Sequence, residues 1–165
     1  MKKIIVVLLF ALIFSGCEKD DICADGAANT PFLVIEFYDK VNRNDLINVI
    51  NLVVKEPSLT KEFRFTAVNK IKIPLRTNAT TTTLNFIQNG SDANVSNHNI
   101  DAVTFNYTTS NVYISRACGY KTIFQLNATP NGVVVAPDTA NWIQSSVVSK
   151  PNIQNENEVH VKIYF

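Results

Sequence analysis

Val159-His160-Val161-Lys162-Ile163-Tyr164-Phe165 decides the fold class. Val159, Val161, Ile163 and Phe165 recur at every second position, with His160, Lys162 and Tyr164 between them. A period of two is the spacing at which alternate side chains of an extended strand share one face. The stretch therefore reads as a half-buried β-strand, with the histidine, the lysine and the tyrosine on its polar face.

The same alternation recurs upstream. Ile71, Ile73 and Leu75 alternate with Lys70, Lys72 and Pro74, and similar runs occur at 32–38, 63–68, 84–88, 102–108, 112–116, 120–127 and 142–148. Asn89-Gly90, Thr109-Ser110-Asn111 and Pro130-Asn131-Gly132 supply turn chemistry between them, and the short spacings favour antiparallel meanders. One segment is ambiguous: Leu46, Ile47, Ile50, Val53 and Val54 fit a helical stripe after the capping residue Asn44, yet the β-branched content of 49–54 favours a strand ending near Lys55. About eight or nine short strands must bury their apolar faces against one another, which predicts an all-β antiparallel sandwich, Ig-like or transthyretin-like, over 32–165.

Composition narrows the function classes. A net charge of +1 with 18% charged residues gives no concentrated basic excess, so nucleic acid is not an expected partner. A hydrophobic content of 46% is that of a folding chain.

The N-terminus has its own grammar. Lys2-Lys3, an unbroken apolar run from Ile4 to Phe14, and the small residues Ser15-Gly16 before Cys17 make a secretory signal at 1–16. The run falls short of the roughly 20 residues that a membrane-spanning helix needs. Ser15-Gly16-Cys17 resembles a lipobox, with Phe14 where leucine is commoner, so Cys17 is the expected lipidation site and 17–31 a lipidated tether. With Cys17 acylated, Cys23 and Cys118 remain as the expected disulfide; a catalytic thiol at Cys118 is the competing reading and has no identified base.

Other polar clusters have ordinary readings beside sharper ones. His98 and His160, the only histidines, lack metal-ligand spacing and are expected at the surface. Asp39, Asn42, Asn44 and Asp45 read as a turn rather than a calcium loop, because the EF-hand glycine and terminal glutamate are missing. Lys61, Arg64, Lys70, Lys72 and Arg76 read as the wet side of a hairpin, with lipopolysaccharide or acidic glycan as the alternative partner. No phosphate loop, zinc-protease helix or nucleophile elbow occurs, so no enzyme, cofactor or metal is implied.

Three features carry a resemblance. Lys19-Asp20-Asp21, just after Cys17, is similar to the sorting signal that sends Bacteroidota lipoproteins to the outer face of the outer membrane; a plain solvated spacer is the other reading. Asp138-Thr139-Ala140 resembles the Bacteroidota O-glycosylation site, with Thr139 as acceptor. With the 114–120 strand pair and the closing 158–165 strand, the chain resembles a family of small uncharacterised Bacteroidota outer-membrane lipoproteins. That resemblance implies a lipid-anchored place in the outer membrane, periplasmic or surface-facing, and no family active site. A tethered β-sandwich without a catalytic constellation is expected to be a non-catalytic binding or scaffolding module, with an outer-membrane protein as partner. The alternative is glycan recognition through Tyr113, Tyr120 and Trp142, although the core is the expected place for Trp142.

Overall fold

The structure, a computed structural model, describes Cys23 and residues 29–165. The expected signal peptide 1–16, Cys17 and Lys19-Asp20-Asp21 lie outside the described residues, as does the tether apart from Cys23 and 29–31. Two compact units are distinguished. One comprises Thr30–Asn111 with Thr122–Phe165; of the other, Cys23, Asn29 and Val112–Lys121 are described.

Eleven strands make up the described fold: β1 (Leu33–Tyr38), β2 (Val49–Lys55), β3 (Glu62–Val68), β4 (Lys70–Ile73), β5 (Thr81–Gln88), β6 (Asn99–Ser115), β7 (Gly119–Leu126), β8 (Val133–Val135), β9 (Ser145–Val148), β10 (Asn152–Ile153) and β11 (Val161–Tyr164). One sheet has the order β4-β1-β11-β9; the other runs β10-β7-β6-β5-β2-β3, with β8 paired to β6. The inner faces of both meet in one core, to which the smaller sheet gives Leu33, Ile35, Phe37 and Ile163 and the larger gives Leu52, Val54, Phe86 and Phe105. This is the expected all-β sandwich. The ambiguous segment is strand β2: Val49, Leu52, Val53 and Val54 are buried, whereas Ile50 is exposed.

Four expectations are corrected. The strands number eleven rather than eight or nine, because β8 and β10 are too short to show an alternation. Thr109-Ser110-Asn111 is no turn: β6 runs through it unbroken, since threonine suits a strand and these polar side chains need no core. The chain reverses instead at Arg116-Ala117-Cys118, and Gly119 takes φ +68, a left-handed conformation that a side chain disfavours. The sheets are not wholly antiparallel, because β1 pairs with β11 in parallel, Ile35 opposite Val161 and Phe37 opposite Ile163. The first and last strands thus form the centre of the smaller sheet.

The fourth correction concerns His160, which is 1% exposed rather than at the surface. Its Nδ1 accepts the Val34 N–H at 3.0 Å, while its own N–H donates to the Val34 carbonyl at 3.0 Å. Its carbonyl accepts the Ser149 N–H at 2.8 Å and the Lys150 N–H at 3.2 Å. Side chains pack on the second face of the β1–β11 pair as well as on the first. Tyr38 and Tyr164 pack there at 5.7 Å, the Arg43 guanidinium covers Tyr164 at 3.6 Å, and the Lys162 ammonium lies 4.8 Å from the Tyr38 ring. Glu36, only 8% exposed, joins this layer, accepting hydrogen bonds from Tyr38 Oη at 2.7 Å and Lys70 Nζ at 2.8 Å. Burial pushes the Glu36 carboxyl up, but these two bonds outweigh it and hold it below its ordinary range. The bond to Glu36, reinforced by burial, pushes Tyr38 up to about 12.

Burial lowers the His160 pKa, and a proton on Nδ1 would abolish its bond to Val34. An unfolded histidine takes up a proton near the ordinary value of 6.5, before the folded one does. The His160 contribution is therefore complete above that pH and declines as pH falls through it, by up to about 1.4 kcal/mol per unit. Glu36 and Glu156, both lowered, lose theirs only below the ordinary 4.5. Urea unfolding across this range should show two separate declines, and His160→Asn should remove the upper one while lowering stability at neutral pH.

Candidate functional site

The β2–β3 loop and the segment joining β4 to β5 line a recess of about 240 Å³, walled by Leu59, Phe63, Pro74, Leu75 and Leu84. Drug-sized ligands occupy roughly 300–1,000 Å³, so this volume suits a single apolar side chain. Leu59 is 54% exposed at its mouth. The rim carries an ion pair between Glu56 and Arg76, with Nε of Arg76 also 3.3 Å from the second Glu56 oxygen.

A closed ring of hydrogen bonds holds this rim. The Arg76 N–H donates to Thr82 Oγ1 at 3.0 Å, and Tyr107 Oη donates to the Arg76 carbonyl at 2.8 Å. Tyr107 has one proton to give, so the 2.6 Å contact between the two hydroxyls runs from Thr82 to Tyr107. Each polar atom is thereby satisfied, and burial raises the Tyr107 pKa. Tyr107 also packs edge-on against Phe124 at 5.3 Å.

The basic stretch is not a free cationic surface. Arg64 pairs with Glu62, Lys70 with Glu36, Lys72 with Glu156 and Arg76 with Glu56, which leaves Lys61 as its member without an ion pair among the described residues. These pairs cancel the field an anionic partner would read. The oxygen-rich loop is a turn: Asp39 Oδ1 accepts the Val41 and Asn42 N–H groups at 2.6 and 2.7 Å, and these bonds lower its pKa. No group of metal-ligating side chains occurs among the described residues. His98 is half-buried, with Nε2 3.0 Å from the Asp92 carbonyl.

The aromatics divide. Trp142 fills the core, 7% exposed, and donates Nε1–H to the Phe86 carbonyl at 3.2 Å. Tyr113 and Tyr120 are 55% and 68% exposed and meet edge to face at 5.3 Å. Between them in sequence lies Cys118, bonded to Cys23 across 95 residues. On the chain-entropy account a closure of that length is worth about 4–5 kcal/mol. The Cys118 N–H donates to Ser115 Oγ at 3.0 Å, fixing the hairpin turn. Thr139 is exposed, and beside it Asp138 Oδ1 accepts the Ala140 N–H at 2.7 Å.

Sequence reading missed Asp101 and Tyr107. Asp101 is fully buried and accepts the Trp142 and Ile143 N–H groups at 3.4 and 2.8 Å. A signal was present, since period two places Asp101 on the inward face with Val103, Phe105 and Tyr107. A carboxylate in that register must find donors, and the loop before β9 supplies them.

A family model matches residues 47–165, from just before β2 to the end of β11, and is described as a family of unknown function, DUF6452. The chain belongs to this family. The match leaves out β1, the strand between β4 and β11. No curated protein matches the chain, and no solved structure does.

Tyr107→Phe keeps the ring but leaves the Thr82 O–H without its acceptor and the Arg76 carbonyl without its donor, although Thr82 Oγ1 still accepts the Arg76 N–H. It should cost about 1–3 kcal/mol in urea unfolding. Thr82→Val, which removes the other hydroxyl, should add much less on top of it than it costs alone.

Proposed function

We propose that this member of DUF6452 is a Bacteroidota outer-membrane lipoprotein, acylated at Cys17, whose sandwich is a non-catalytic docking module. The N-terminal pattern Lys2-Lys3, 4–14, Ser15-Gly16-Cys17 supports the anchor, and Lys19-Asp20-Asp21 supports the outer face. The observation that carries docking is the recess beside β3: an apolar hole of side-chain size whose rim charges Glu56 and Arg76 pair with each other, while Lys61 at the lining is exposed and keeps its charge in water. The ionisable groups around the sandwich support the non-catalytic half, because Glu36, Asp39, Asp92, Asp101 and His160 each hold a hydrogen bond that maintains local structure.

Glycan recognition is the second reading, favoured by the exposure of Tyr113 and Tyr120. Sugar rings stack on an open, flat aromatic face, whereas these rings are inclined at 66°, and Trp142 is buried. Docking therefore stands ahead.

Crosslinking on intact cells tests the reading. The wild-type chain should capture one recurrent outer-membrane protein, and Leu59→Asp should lose it without a change in thermal midpoint. An unchanged capture pattern with Leu59→Asp would reject the recess as the docking site. Cys17→Ala should leave a folded domain that no longer sediments with membranes, and wild-type protein that stays soluble would remove the anchor. Thr139 is the proposed O-glycan acceptor: intact mass from the native host should exceed the polypeptide plus its acyl chains, and Thr139→Ala should abolish the excess.

A further inference from the structure

We infer that the β6–β7 hairpin tip is a second membrane contact, seating Val112, Tyr113 and Tyr120 in the headgroup layer of the bilayer that holds the Cys17 acyl chains. This rests on the lipid anchor proposed above. The tip is singled out by what it exposes. Of the five tyrosines, Tyr38, Tyr107 and Tyr164 are 9% exposed or less, while Tyr113 and Tyr120 are 55% and 68% exposed and Val112 is 38% exposed. A tyrosine pair left in water forgoes burial, but at a membrane surface its rings meet the acyl boundary and its hydroxyls the headgroups.

Covalent geometry places that surface within reach. Cys23 is bonded to Cys118 in the tip, their Cα atoms 4.9 Å apart. Cys23 follows Cys17 by six positions along the chain, a stretch that fully extended spans at most about 20 Å. An acylated Cys17 therefore holds Cys118 within about 25 Å of the bilayer surface, less than the roughly 30 Å thickness of the hydrocarbon core. Of the sites described, this tip alone is tied covalently to the tether.

Charge is compatible with this placement. Residues 112–121 contain Arg116 and Lys121 and no acidic residue, and neither cation has an ion pair among the described residues. Both suit lipid phosphates. The tether carries Glu18, Asp20, Asp21 and Asp25 against Lys19, so the aromatic rings rather than net charge supply the attraction.

The test uses Tyr113→Trp in the full, acylated chain, reconstituted into phosphatidylethanolamine–phosphatidylglycerol vesicles with or without bromine on the acyl chains. The added tryptophan should shift to the blue on plain vesicles and lose roughly half its emission on brominated ones, whereas native Trp142 in the wild-type chain should be unaffected. Hydrogen exchange of 112–121 in the wild-type protein should slow on vesicles relative to Cys17→Ser, which covers the case of a variant that folds poorly. A chain that fails to float with vesicles removes the anchor and the inference together. Flotation with unchanged emission and unchanged exchange overturns the tip contact and leaves the anchor standing. An emission change produced by soluble lipopolysaccharide-derived glycan but not by vesicles overturns it too and assigns the tip to sugar recognition.

Discussion

Two hydrogen bonds of 3.0 Å between Val34 and His160 fasten the first strand of the sandwich to its last, and the smaller sheet depends on that junction. A parallel pair cannot be made by a tight turn; here nearly the whole domain forms the crossover between β1 and β11. Once the pair is set, β4 adds to one side and β9 to the other, and Leu33, Ile35, Phe37, Val161 and Ile163 form the floor on which the larger sheet rests. The imidazole must stay neutral for this, because Nδ1 is an acceptor. The fold thus carries a titratable group at its closing point, insulated by burial.

The second recurring feature is the use of polar side chains as internal ties. Asp101 holds the loop ahead of β9, Asp39 and Asp92 shape turns, and Thr82 with Tyr107 locks both backbone polar groups of Arg76. No buried side-chain polar atom among the described residues lacks a partner. In a sandwich built from short strands and long irregular connections, such ties replace the regularity that longer hairpins would provide.

Among the described residues, the apolar recess beside β3 and the tyrosines of the β6–β7 tip are places where apolar surface stays open. In the proposed lipoprotein they have different partners, the recess a protein side chain and the tip the bilayer.

Period-two alternation made the all-β class and most strands readable, and the β-branched run at 49–54 was enough to choose strand over helix there. The two cysteines left beside Cys17 foreshadowed the bridge that the structure makes. Local pattern could not report that His160 is buried, because alternation assigns a residue to a face and cannot say whether a neighbour covers that face. Nor could it show that 109–111 continues a strand, that β8 and β10 exist, or that Leu59, Phe63 and Leu84, from three different segments, share one recess. The sequence by itself determined most of the extended stretches and which of their side chains lie on the same face. Tertiary structure decided which of those faces are sealed, because sealing depends on strand order, and strand order joins residues as far apart as Val34 and His160.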